Sequence, residues 1–109
     1  MENLTEAQQH LYNLLDEELA VMEHPSCSLN QMRARVINVV SRLEPYLGHH
    51  VNMSQDADLS VVNSTSVKEF IHYARSSSTF DAFLHFTSRA IGCLMTPEER
   101  REFFGEDAR

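Results

Sequence analysis

Residues 79–95, TFDAFLHFTSRAIGCLM, limit what this chain can fold into more than any other stretch. Wound at about 100° per residue, Phe80, Phe83, Leu84, Phe86, Ala90, Ile91, Cys93 and Leu94 cover roughly 180° of a helical wheel. Water is left a narrow strip of Asp81, His85, Ser88, Arg89 and Gly92. A helix lying on a protein surface shows a stripe nearer 100° wide. This helix therefore needs cover on two sides, from helices of its own chain or from another chain. Ser78 or Thr79 caps its start, and Asp81 in the first turn suits the positive end of the helix dipole.

The chain around it has 109 residues, enough for one modest core, and reads as a single helical domain spanning 1–109. Hydrophobic residues are 42% and charged residues 23%, which fits neither a disordered nor a membrane-spanning chain. No apolar run approaches the roughly 20 residues needed to cross a bilayer. The opening MENLTEAQQH is polar and acidic, unlike a secretory signal, so a cytoplasmic location is expected. Cys27 and Cys93 lie far apart and form no disulfide framework. Both read as reduced thiols, Cys93 as a small buried hydrophobe.

Capping signals divide the rest into helices. Leu4-Thr5-x-x-Gln8 gives a staple residue, a cap and a closed capping box. The helix that follows runs to Met22 or Glu23, with Leu11, Leu14, Leu15, Leu19 and Met22 on its apolar side. Asp16, Glu17, Glu18 and Glu23 crowd its C-terminal half, where acids oppose the dipole. Ser28-x-x-Gln31 opens a second helix carrying Arg33, Arg35 and Arg42. Folded back as a hairpin, it brings Arg33 or Arg35 to Asp16, Glu17 or Glu18. Pro45 should kink or stop this helix near Leu43 or Glu44. Residues 48–64 are less regular: a short helix capped by Ser54, or an extended piece at 59–62, and a place for a binding loop or gate. Ser66-x-x-Glu69 marks a third box, a serine turn follows, and Thr96-Pro97-x-Glu99 opens a last short helix ending at Gly105. The expected fold is all-α, a small bundle of four to five helices, able to dimerise.

The chemistry-bearing residues are sparse. His49-His50 with Asp56 and Asp58 offers metal-ligand types at no metal spacing, and His24-x-x-Cys27 lacks a second pair. Neither cysteine has a histidine and an orienting group at a readable distance, and three glycines form no phosphate loop. No catalytic residue, metal or cofactor is assigned, and His72 reads as a packing histidine. The hairpin 67–95 loosely fits helix-turn-helix geometry, with Arg75 and Arg89 as DNA contacts. Sixteen acidic residues against nine Lys plus Arg, a net charge of -7, disfavour a phosphate backbone as partner. Arginine outnumbers lysine eight to one; its planar fork favours multi-donor contacts, but biased genome composition gives the same ratio and is the weightier reading.

The positive reading is protein binding. The expected interface is Phe80, Phe83, Leu84, Phe86, Ile91, Leu94, Phe103 and Phe104, rimmed by Asp16, Glu17 and Glu18. It would serve a homodimer, or a partner such as a transcription regulator that a small acidic adaptor or inhibitor sequesters. A DNA-binding regulator is the alternative, and a small metal protein or enzyme the second alternative.

Overall fold

Among residues 3–105, which the computed structural model describes, five helices follow one another without a strand. They are α1 (Glu6–Glu23), α2 (Leu29–Leu47), α3 (Ser64–Arg75), α4 (Phe80–Cys93) and α5 (Pro97–Phe104). The all-α expectation holds. No described helix is long and apolar enough to cross a membrane.

Three of the helices begin as the sequence dictates. Thr5, Ser28 and Thr96 each accept from the backbone amide three residues on, while Gln8, Gln31 and Glu99 reach back to the cap amide. Each such cap is worth about 1 kcal/mol. Thr79 caps α4 by accepting from the Ala82 amide.

α3 departs from expectation. Its cap is Asn63, whose side-chain oxygen accepts from the Thr65 and Ser66 amides at 2.9 and 3.4 Å. Asn caps as well as Ser does, and coming first in the chain it places Ser66 inside the first turn. α2 also outruns expectation. It passes through Pro45 to Leu47 and stops at Gly48, which adopts φ 78 and donates to the Glu44 carbonyl at 2.9 Å. So near the end of a helix, proline removes one internal bond, to Ser41, and leaves most of the ladder intact. The extra turn lets Leu47 pack on the core beside Leu43.

α3 and α4 form the most closely packed pair. Tyr73 meets Phe86 at 5.5 Å between rings, while Phe70 lies against Arg89, so the two helices run antiparallel. α1 packs on α2, α3 and α4. One core joins all five helices, with Phe83, Leu19, Met22, Met32, Ile71 and Leu94 fully enclosed. Tyr12 of α1 tilts onto Phe83 of α4 at 4.6 Å. The wide apolar arc of α4 is thus covered largely from within the chain.

Asp16, Glu18 and Glu23 of α1 each meet a basic side chain, whereas Glu6 and Glu17 do not, among the described residues. Arg75 of α3 reaches Asp16 at 3.1 Å and Glu23 at 2.7 Å. Arg35 reaches the buried Glu18 at 3.5 Å, as the hairpin reading expects. Lys68 donates to the His24 carbonyl at the C-terminal end of α1. Arg33 does not join this set; it crosses the molecule to Glu99.

Residues 48–63 contain no helix; a turn at Leu59–Val62 is their most regular part. The Ser54-capped helix does not form, because Ser54 is engaged elsewhere. The segment hangs from three carboxylates. Val51 N donates to Glu44, Asn52 N to Glu102 and Ser54 N to Glu99, at 3.1, 2.8 and 2.7 Å. Val51 itself is buried. Backbone groups leaving regular structure need partners, and here α2 and α5 supply them.

Candidate functional site

The aromatic residues of α3, α4 and α5 divide into two sets. Phe83, Ile91, Leu94 and Phe103, expected at an interface, lie in the chain's own core, at 0%, 2%, 0% and 7% exposure. They belong to the one buried cluster, where Phe83 meets Tyr12 of α1. Phe80, Leu84 and Phe86 are half-buried, and Phe104 is 41% exposed. Tyr73 of α3 is 48% exposed.

Tyr73, Phe86 and Phe104 follow one side of the α3–α4 pair, while Phe80 and Leu84 lie around α4 from Phe86. Tyr73 and Phe86 sit against each other where α3 nears its end. One helical turn along, the Arg89 guanidinium lies over the Phe70 ring at 5.7 Å, a distance at which cation and ring attract. Further along α4, the Phe104 ring covers Gly92, so close that a Cβ there would lie 3.4 Å from it. Phe70, Arg89, Gly92, Cys93, Arg100 and Phe104 line an open groove of about 260 Å³. Arg100 reaches it from α5, with one nitrogen donating to the Gly92 and Met95 carbonyls at 3.1 and 2.8 Å. Gly92 sits in the last turn of α4, where its carbonyl also accepts from the Met95 amide at 3.3 Å, and Met95 lies just past the helix end.

The groove brings two arginines without carboxylate partners together; exposed Arg42 on α2 also has none among the described residues but stands apart from it. Arg33, Arg35, Arg75 and Arg101 each face a carboxylate of this chain. Arg89 and Arg100 have none among the described residues, although both line the groove. Burial pushes the Cys93 thiol up, and the positive fields of Arg89 and Arg100 oppose that rise without cancelling it. A thiol held protonated is a poor nucleophile.

The expected acidic rim is placed differently. Asp16 is paired with Arg75, Glu18 is buried beside Arg35, and only Glu17 stands exposed. Arg35 of α2 and Arg75 of α3 thus partner two of these three acids. The same pairing bears on the DNA reading of the hairpin 67–95. Arg75 is held by two carboxylates and Arg89 rests on Phe70, with Asp81 exposed at the head of α4.

The remaining candidates are scattered. His49 Nε2 lies 2.6 Å from the Glu102 carbonyl, His50 meets Glu44, and neither faces Asp56 or Asp58. His72 is exposed, 3.8 Å from Glu23, instead of packed in the core. Among the described residues no three His, Cys, Asp or Glu side chains are grouped to hold a metal ion. Two larger clefts open beside α2. One, about 500 Å³, lies between α2 and residues 55–59; the other, about 650 Å³, lies at the α1–α2 turn near His24 and Cys27. Neither gathers exposed aromatic rings.

Sequence reasoning missed Arg89 and Arg100 as a pair. Their spacing of eleven residues crosses a helix break, and only the Thr96-Pro97 turn brings them to one groove.

No protein family matches the chain, and no solved structure does. Among known proteins it is similar to a telomerase reverse transcriptase of Mus musculus, with 37% identity over 59 residues. The likeness takes in 52% of this chain and 5% of that protein.

Proposed function

We propose that this chain is a non-enzymatic protein-interaction module, a small cytoplasmic regulatory adaptor or inhibitor that binds another protein through its α3–α4–α5 surface. The observation that carries this reading is the solvent-facing aromatic surface from Tyr73 and Phe86 to Phe104. Aromatic rings and arginines at a surface are what binding hot spots are made of. The core supports the surface from behind, since Phe83, Ala90 and Ile91 lock α4 in place. The likeness to a twentieth of the mouse reverse transcriptase does not bring that protein's activity here.

Tagged protein recovered from its native lysate, with bound proteins identified and their stoichiometry measured, tests the proposal. A partner near one-to-one, lost on Phe86→Ser or Phe104→Ser while circular dichroism stays unchanged, supports it. A transcription regulator as that partner makes the chain an inhibitor by sequestration. A partner retained by both folded variants places binding elsewhere. Sedimentation of the purified chain separates a homodimer through the same surface from a heterologous complex.

A further inference from the structure

We infer that the groove between α3, α4 and α5 receives an acidic amphipathic segment of the partner protein, its carboxylates meeting Arg89 and Arg100 and its apolar side lying on Phe70 and Phe104. This rests on the interaction-module reading and specifies its partner.

Charge complementarity carries the inference. Arg33, Arg35, Arg75 and Arg101 are met by carboxylates of this chain; Arg42, exposed on α2, is not, but it stands alone, whereas the groove sets two arginines without carboxylate partners side by side, among the described residues. Both are held in place without being neutralised. Arg89 is steadied by the face of Phe70, which leaves the hydrogen-bonding edge of its guanidinium free. Arg100 is steadied by the Gly92 and Met95 carbonyls through Nη1, with no partner on Nη2 or Nε among the described residues. A fork fixed in this way loses little entropy when a carboxylate binds it bidentately. Between the arginines the floor is apolar: the edge of Phe70, the Cα of Gly92 and the ring of Phe104. A purely apolar ligand would desolvate two cations with no return. A basic one would meet them directly.

The net charge of -7 argues the other way at long range. At physiological salt, however, charges more than about 8 Å apart are largely screened. The local pair therefore governs what docks, and the whole-chain charge governs only approach.

The test sets these two fields against each other. Two synthetic helical peptides of about 18 residues carry the same Leu and Phe face. One bears Glu along both flanks and the other Lys. Binding is read by fluorescence anisotropy, and the site by protection of Cys93 from alkylation and by amide shifts at Phe70, Arg89 and Gly92. The expected result is that the Glu peptide binds at the groove at least about tenfold more tightly than the Lys peptide. Arg89→Glu, an exposed position, should reverse that order. A Lys peptide that binds the groove as well or better overturns the acidic-partner inference and leaves the interaction surface standing. Neither peptide protecting Cys93 at about 1 mM overturns both. A chain that sediments as a dimer, and becomes monomeric on Phe104→Ser, shows that a second copy fills the groove and overturns the inference as well.

Discussion

Arg33 and Glu99 meet fork to fork across 66 residues of chain, Nη1 to Oε1 at 2.7 Å and Nη2 to Oε2 at 2.8 Å. The same guanidinium donates to the Leu94 and Ser54 carbonyls, and the same carboxylate accepts from the Ser54 and Thr96 amides. One pair thus fastens α2, the irregular segment, the end of α4 and the start of α5. Both side chains are nearly sealed from water, and Arg33 Nε is buried without a partner.

Removing either member leaves a buried charge and several backbone groups unmatched. Arg33→Ala or Glu99→Ala should cost about 3–5 kcal/mol, measured as a fall in the urea midpoint. Replacing both, as Arg33→Met with Glu99→Leu, should recover only part of this. The Ser54 and Thr96 amides would still lack their acceptor. Full recovery would show that the pair, and not its backbone contacts, sets the cost.

The pair also fixes an acid response. Burial by itself raises the Glu99 carboxyl, but the Arg33 hydrogen bonds and the Thr96 and Ser54 amides outweigh it and hold it at about 2, against an ordinary 4.5. A carboxyl lowered by folding gives stability that is complete above the unfolded value and is lost as the pH falls through the folded one. Unfolding free energy should therefore decline between about pH 4.5 and pH 2, by roughly 3 kcal/mol in total from this group. Urea titrations across that range should show the decline, and Glu99→Gln should flatten it.

Phe83 and Phe104 belong to the same expected interface but occupy opposite environments, at 0% and 41% exposure. Phe83→Ala should cost about 3–5 kcal/mol, and Phe83→Asp should abolish the cooperative transition. Phe104→Ala should cost about 1 kcal/mol or less. Thermal melts followed by circular dichroism read both. Similar losses at the two positions would contradict the burial described above.

The start of α3 can be tested by its cap. Asn63→Ala should cost about 1 kcal/mol, while Ser66→Ala should be close to neutral. The reverse order would restore the Ser66 box as the true start.

Cys93 reports on the groove. With its thiol pushed up by burial, alkylation near neutral pH should run slower than for a free cysteine. Arg100→Ala removes one opposing positive field and should slow it further. Rates followed by mass spectrometry on the intact protein, with Cys27 replaced by Ser, give the comparison.

Local chemistry in the sequence determined much of the helical layout. The Thr5, Ser28 and Thr96 boxes set three starts because a cap, its box partner and the amide they share lie within four residues. The Arg35–Glu18 pair was readable because a short turn leaves one way to fold α2 on α1. Proline near a helix end and two competing caps before α3 were not readable: each turns on a difference of about 1 kcal/mol that packing decides.

The tertiary structure alone decided which side of α4 faces water. A wheel with roughly half its circumference apolar says that two sides need cover, not which neighbour provides it. Packing of α1 against α3 and α4 drew Phe83, Ile91 and Leu94 inward and left Phe86 at the surface. It also decided charge. Composition gives a net -7, but α2 and α3 partnered Asp16, Glu18 and Glu23 of α1, and the turn into α5 set Arg100 beside Arg89. Caps and periodicity are interactions between near neighbours in the chain, so the sequence alone carries them. Burial and ion pairing join residues far apart in it, and they exist only once the helices have packed.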